Sequence, residues 1–318
     1  MEQLNQTSVK SFILLGLSSI PHLKAIYFLL FLIIYTITLT GNVLLIVVVR
    51  INSQLHTPMY FFLGNLSFID ICFSSTVVPK LLVNTLSQDK SISYLGCASQ
   101  MYFSLALGAT ECITLAVMAY DRYVAICNPL RYQIIMNNKV CVCLAAFSWT
   151  VSFLNAIIHA AFTFQLPYCK SHHVNHFFCE MPPLFKLSCH DTLFNEVAVY
   201  ISGGIIALCS FLLTLVSYFH IITTILKIRS TKGRYKAFST CASHLTVVSL
   251  YYGTIMFMYL RPRHSYFPDR DRAIAVVYTV VTPMLNPIIY SIRNKDVTGT
   301  IIKKLSQKAN TVLPMKTI

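Results

Sequence analysis

The stretch AIYFLLFLIIYTITLTGNVLLIVVV, Ala25 to Val49, decides the fold class, because it holds no Asp, Glu, Lys or Arg. A helix needs roughly 20 apolar residues to cross a hydrocarbon layer of about 30 Å, and this run exceeds that. Three further runs are as clean: Val140 to Gln165, Val197 to Leu226 and Ala237 to Leu260. Ala273 to Ile292 is also free of charge but carries Pro283 and Pro287, which a spanning helix tolerates where neighbours re-satisfy its backbone. Two more spans hold charge. Pro58 to about Val83 contains Asp70, and Leu95 to Ile126 contains Glu111 and ends in Asp121-Arg122. The expectation is an all-α membrane protein, a seven-transmembrane helix bundle over residues 25–292, flanked by an N-terminal segment 1–24 and a tail 293–318. No alternating ten-residue strand pattern points to a β-barrel, and no internal repeat divides the chain.

Composition agrees with this reading. The chain is 55% hydrophobic and 11% charged, whereas a soluble domain carries about 25% charge. Such hydrophobicity excludes disorder. The net charge of +14 would point a soluble chain toward nucleic acid, but in a membrane protein its distribution matters more. With the N-terminus outside, the inner segments hold fifteen Lys/Arg against Asp121 and Asp296, a net +13. The outer segments hold ten against seven acids, a net +3. The inner side is therefore the basic one, and no nucleic-acid partner is expected. The apolar run near Phe12 to Leu17 is too short to be the core of a signal peptide. Asn5-Gln6-Thr7 is a glycosylation sequon on the outer side. Asn65-Leu66-Ser67 is another, and lies within a span.

Compartment sorts the cysteines. Cys97, Cys169, Cys179 and Cys189 fall on the oxidising outer side, where three pairings are possible, and the other seven read as packing thiols. The loop that carries three of the four also holds His172, His173, His176 and His190. His176 to Glu180 has a spacing that could hold Cu or Zn, but a disulfide would consume Cys179, and solvated histidines are the plainer reading. Asp70 and Glu111 are different, since an acid at mid-membrane depth is costly and kept for function. Two of them in one bundle repel unless a cation or proton lies between them, so a bound sodium ion or a shared proton is expected there.

Particular residues then identify a family. Met118-Ala119-Tyr120-Asp121-Arg122-Tyr123-Val124-Ala125-Ile126-Cys127 closely resembles the olfactory receptor signature at the inner end of the third helix. Gly41-Asn42, Pro58 to Leu63, Ser217-Tyr218, Lys236 to His244 and Pro283 to Tyr290 agree with it in order. The resemblance spans roughly residues 10 to 305. The chain looks like a tetrapod-type odorant receptor of the rhodopsin-like G-protein-coupled class.

The resemblance implies that Cys97 pairs with Cys179 and Cys169 with Cys189. It implies that Arg122 is held by Asp121 in the inactive state and contacts the G protein when released. Tyr218 and Tyr290 swing inward in support, with Tyr123, Asn286 and Pro287 in the same machinery. Two departures qualify the mechanism. Helix six reads Leu250-Tyr251-Tyr252-Gly253 where relatives outside this family carry a Trp switch, so Tyr252 is the expected switch. Lys236 stands where many relatives place an acid, which removes any ionic lock between Arg122 and that helix.

Periodicity with the family pattern places Ser104, Leu105, Gly108, Ala109, Ser202, Ile206, Ile255, Tyr259, Val276 and Thr279 around an outer cavity, with Tyr252 among the ligand-binding residues. None of these is charged, and Ser104 occupies the position at which amine receptors keep an Asp. The expected ligand is therefore a small, mostly apolar, neutral odorant making one or two hydrogen bonds. His159 borders this region and reads as a packing histidine. After Ile292, Val297, Ile301 and Leu305 recur at four-residue spacing among Lys295, Lys303 and Lys304, an interfacial helix for the anionic inner leaflet. No cysteine follows Cys241 to take a palmitoyl chain.

The implied function is odorant-dependent activation of the stimulatory olfactory G protein, raising cAMP, at the plasma membrane of sensory cilia. A receptor of this fold for a non-odorant ligand is the near alternative. A transporter or channel is the distant one, disfavoured because the buried charges form no continuous file and no inverted repeat shows. No hydrolase elbow, phosphate loop or His-Glu-x-x-His supports an enzyme.

Overall fold

The structure is a computed structural model. It describes residues 10–17, 21–169, 171–259, 268–293 and 299. Asn5 and the expected tail helix at Val297 to Leu305 lie outside the described residues.

The described residues open with strand β1 (Ser11–Leu14) and helix α1 (Pro21–Ile51). Helix α2 (Pro58–Leu86) starts with Pro58 in its first turn, where the missing N–H costs nothing, and continues through Pro79. Strand β2 (Ser91–Ser93) leads into α3 (Tyr94–Cys127), whose N-cap Ser93 accepts from the Gly96 amide at 3.0 Å. A short turn of helix, α4 (Tyr132–Ile135), precedes α5 (Asn138–Phe164), capped by Asn137. The outer loop holds strand β3 (His173–Val174) and the short α6 (Met181–Phe185). Then come α7 (Leu193–Leu226), α8 (Thr231–Tyr259), α9 (Pro268–Val276) and α10 (Thr282–Arg293), the last two joined by a π-helical turn at Val277–Val281.

Six of these spans are long and apolar enough to cross a bilayer, the α9 to α10 segment counting as one, and α8 supplies the seventh. Ile26, Leu29, Leu30 and Ile33 on α1 and Ile201, Ile205, Leu208 and Leu212 on α7 stay exposed at helical spacing, which gives them to lipid. Helix α3 is the hub, packed against α2, α5, α7 and α8. Its buried face includes Thr110, Glu111, Leu115, Met118 and Asp121.

The all-α expectation needs one addition, a three-stranded sheet over the outer face in the order β2-β1-β3. β1 runs antiparallel to β2, with Phe12 opposite Ile92, and parallel to β3, with Leu14 opposite Val174. Alternation along β1 buries Phe12 and Leu14 completely. Two disulfides, Cys97–Cys179 and Cys169–Cys189, fix the loop that contributes β3.

Candidate functional site

A cavity of about 200 Å³ lies in the outer half of the bundle, among α3, α5, α7, α8 and the π turn. The loop following Cys179 roofs it. Ser104, Leu105, Gly108 and Ala109 on α3, Ile206 on α7 and Ile255 on α8 line it, as placed from the sequence.

Other expected lining residues sit elsewhere. Tyr252 turns into the inner core, its hydroxyl donating to the Cys112 carbonyl at 3.3 Å, and the adjacent Tyr251 takes the wall and donates to the Gly108 carbonyl at 2.6 Å. Ser202 lies behind the wall in a hydrogen bond with His159. Val276 packs toward Phe31 and Val77, and Thr279 is fully buried with its hydroxyl donated to the Ala275 carbonyl. The residue of that segment that reaches the cavity is Tyr278. Val277–Val281 is a π turn, so Tyr278 and Thr279 within it do not keep the 3.6-residue spacing from Val276 on which the expectation rests. Tyr259 closes α8, but its side chain lies outside the described residues.

The cavity is also not free of acids. Glu180 lies at its roof and Glu111 in its lining, while Asn155 and His159 supply polar groups from α5. His159 Nε2 lies 2.8 Å from Ser202 Oγ and 3.2 Å from Asn155 Nδ2, and its buried Nδ1 has no partner. Gly203 permits this approach of α7 to α5, since a Cβ there would sit 3.2 Å from His159 Cε1.

At the roof, Tyr278 donates to Glu180 Oε1 at 2.8 Å, and His176 Nε2 faces Oε2 at 3.5 Å. The Phe178 amide donates to His176 Nδ1, which assigns the ring proton to Nε2, toward Glu180. Burial drives the His176 ring down to about 3. Burial, with Asp271 adding to it against the Tyr278 hydrogen bond, pushes the Glu180 carboxyl up to about 7. A neutral imidazole therefore meets the acid, and no formal charge pairs with it. Cys179 is in a disulfide, and among the described residues no cluster of three His, Cys, Asp or Glu offers a metal site.

Deeper in the bundle, Asn286 donates to both Asp70 oxygens, at 3.1 and 3.0 Å. Glu111, also buried, leaves Oε1 without a hydrogen-bond partner. Asn42 donates to the Pro283 carbonyl at 3.0 Å, and Pro287 packs against Gly41. These contacts tie α1 and α2 to the last span.

At the inner end, Asp121 is not paired with Arg122 in the way the resemblance implies. The short helix α4 carries Tyr132 over it, and the Tyr132 hydroxyl donates to Asp121 Oδ1 at 2.8 Å. Arg122 makes no ion pair among the described residues, and its Nε is buried without a partner. Tyr123 packs near His220 of α7. Tyr218 and His244 share a 2.6 Å hydrogen bond, His244 Nε2 reaches the Leu115 carbonyl at 3.2 Å, and the buried Tyr290 hydroxyl beside this group has no partner. Lys236 is exposed on the first turns of α8.

Comparison with known proteins places this geometry. The family model described as Olfactory receptor matches residues 31–308. Olfactory receptor-like protein OLF1 of Canis lupus familiaris is 52% identical, over 92% of this chain and 94% of its own. Olfactory receptor 5I1 of Homo sapiens is 50% identical over 96% and 98%, and Olfactory receptor 5AP2 of Mus musculus 51% over 95% of each.

Proposed function

The chain belongs to the olfactory receptor family, multi-pass membrane receptors and not enzymes, and from that premise we propose that it binds a small, mostly apolar, neutral odorant in the outer cavity and activates the stimulatory olfactory G protein, raising cAMP. The observation that carries this reading is the cavity itself, about 200 Å³, walled by Leu105, Ala109, Ile206 and Ile255 and closed by a disulfide-tied loop. A volume this small fits volatile molecules, and an apolar wall with few hydroxyls rewards burial of hydrocarbon.

Activation is a shift between two packings of the bundle, driven only by tighter ligand binding to one of them. Arg122 would meet the G protein at the basic inner face, with Asp121, Tyr123 and Lys236 around it. Tyr218 and Tyr290 would hold the arrangement from α7 and α10, while Asn286 and Pro287 couple it to the buried acids. Asp70 and Glu111 fit a sodium ion or a shared proton, because an unpartnered buried carboxylate oxygen on Glu111 calls for a positive neighbour. Tail residues Lys303 and Lys304 would rest on anionic lipid, Asn5 would carry a glycan, and the protein would work at the plasma membrane of sensory cilia.

Expression with the stimulatory olfactory G protein, surface staining and cAMP recording against a broad odorant panel test this. A response that Arg122→Ala abolishes at equal surface level is the expected result. Surface-expressed protein that stays silent across the panel, or that passes ligand-dependent current without cAMP, overturns it.

A further inference from the structure

The expected cavity had no charged lining, and the structure supplies an acid from above. Glu180 reaches the cavity from the loop immediately after Cys179, whose disulfide to Cys97 anchors it over α3. Its side chain retains 20% exposure; the Tyr278 hydroxyl donates to Oε1 at 2.8 Å, and the His176 Nε2 lies 3.5 Å from Oε2 without a hydrogen bond. Neither the hydroxyl nor the neutral imidazole is cationic. Arg272 of α9 is spent on the Gly16 carbonyl and on Asp269. Asp271 adds a further negative charge from α9. Among the described residues, the other ionisable groups that border the cavity are Glu111 on α3 and His159 on α5, the latter already hydrogen-bonded to Ser202 and Asn155, and the weak acids Cys112, Tyr200 and Tyr251; none of them supplies a cation. Among the described residues Glu180 is thus an acid oriented by the Tyr278 hydroxyl, with a neutral imidazole beside it and no cationic partner, on the wall of a small apolar space.

We propose that Glu180 is the counter-ion for a second class of ligand, an apolar body carrying one protonated basic nitrogen. The nitrogen would sit under the roof against Glu180, with the hydrocarbon directed between α3 and α7. Such a ligand finds its counter-ion on the loop, so the Ser104 that removes the acid from α3 does not exclude amines. This inference rests on the receptor reading above and widens it beyond neutral odorants.

The test compares hexylamine, cyclohexylamine and phenethylamine with hexanol, cyclohexanol and phenethyl alcohol, in cells expressing the full chain with the stimulatory olfactory G protein. Loss of a charge-assisted hydrogen bond is worth roughly 10- to 100-fold. Glu180→Gln is therefore expected to lower amine potency by roughly that factor while alcohol potency moves less than about threefold. A second measurement needs no variant. The Glu180 carboxyl titrates near 7, so lowering external pH from about 8 to about 6 neutralises it while aliphatic amines stay protonated. Amine potency should then fall about tenfold and alcohol potency should hold. Amine potency unchanged in Glu180→Gln, equal losses for amine and alcohol, or amines silent where alcohols act would each overturn the proposal and leave the receptor reading intact. Silence toward all six compounds and toward the broad panel, with the protein at the surface, overturns both.

Discussion

The Tyr132 hydroxyl donates to Asp121 Oδ1 at 2.8 Å, across the inner loop that joins α3 to α5. Asp121 is 1% exposed, so this bond is made in a dry setting and occupies the acid best placed to hold Arg122. Removing the hydroxyl frees Asp121 to take up Arg122, with which it makes no ion pair here. Tyr132→Phe is expected to shift the bundle toward the restrained arrangement and reduce agonist potency in the cAMP assay by roughly 3- to 30-fold at matched surface level. That range corresponds to a hydrogen bond to a charged group. A rise in ligand-free cAMP would show that the contact restrains the receptor instead.

Asp70 and Asn286 make the equivalent tie between α2 and α10. If a sodium ion is held between Asp70 and Glu111, replacing sodium by choline should change agonist potency in membrane preparations, and Asp70→Asn should erase that change. Glu111→Gln should do the same. Identical sodium responses in wild type and both variants would exclude a cation there and leave the shared proton.

How far such features were readable follows from whether their cause is local. The spans of α1, α5 and α7 were visible because lipid demands continuous apolar runs, and Asp70 and Glu111 stood out because charge is rare there. The helix start at Pro58 carries its own chemistry. β1 did not stand out, because its four residues pair with strands some 80 and 160 positions away. Tyr278 was displaced from Val276 and Thr279 by a single π turn that periodicity does not foresee. Glu180 was invisible as a cavity residue because its position depends on a disulfide and on loop packing, both long-range.

Phe12 tests the unforeseen sheet. It is fully buried, edge-on to Tyr168 at 5.3 Å and stacked on Tyr94 at 5.9 Å between ring centres. Phe12→Ala should cost about 3–5 kcal/mol, as large-to-small changes of buried aromatics do. The expected readout is a marked loss of surface protein and a lower melting temperature in detergent. A variant as stable as wild type would show that β1 does not hold the outer face together.

The two disulfides should rank by the chain they enclose. Cys97–Cys179 spans 82 positions and Cys169–Cys189 spans 20. The loop-entropy relation assigns the first roughly 4–5 kcal/mol and the second about 3. Cys97→Ser should nearly abolish surface staining, whereas Cys169→Ser should leave a measurable fraction. The reverse order would mean that the local bridge, not the bundle anchor, controls folding of the loop.

The Glu180–His176 contact sets a pH window for the same loop, and the signs differ for its two members. Glu180 is raised to about 7 from an ordinary value near 4.5, so folding favours its protonated form. Its contribution is complete below about 4.5 and is lost as pH climbs through 7. His176 is depressed to about 3, so its contribution is complete above about 6.5 and is lost as pH falls toward 3. Glu180→Gln keeps an acceptor for Tyr278 and removes only the first titration. The variant should therefore melt above wild type at pH 8, with the gap closing as pH falls through 7 and the two converging below about 4.5. Because His176 is untouched, both proteins should lose stability together below that point. An equal offset at pH 5 and pH 8 would mean that the gain comes from packing and not from relief of a buried charge.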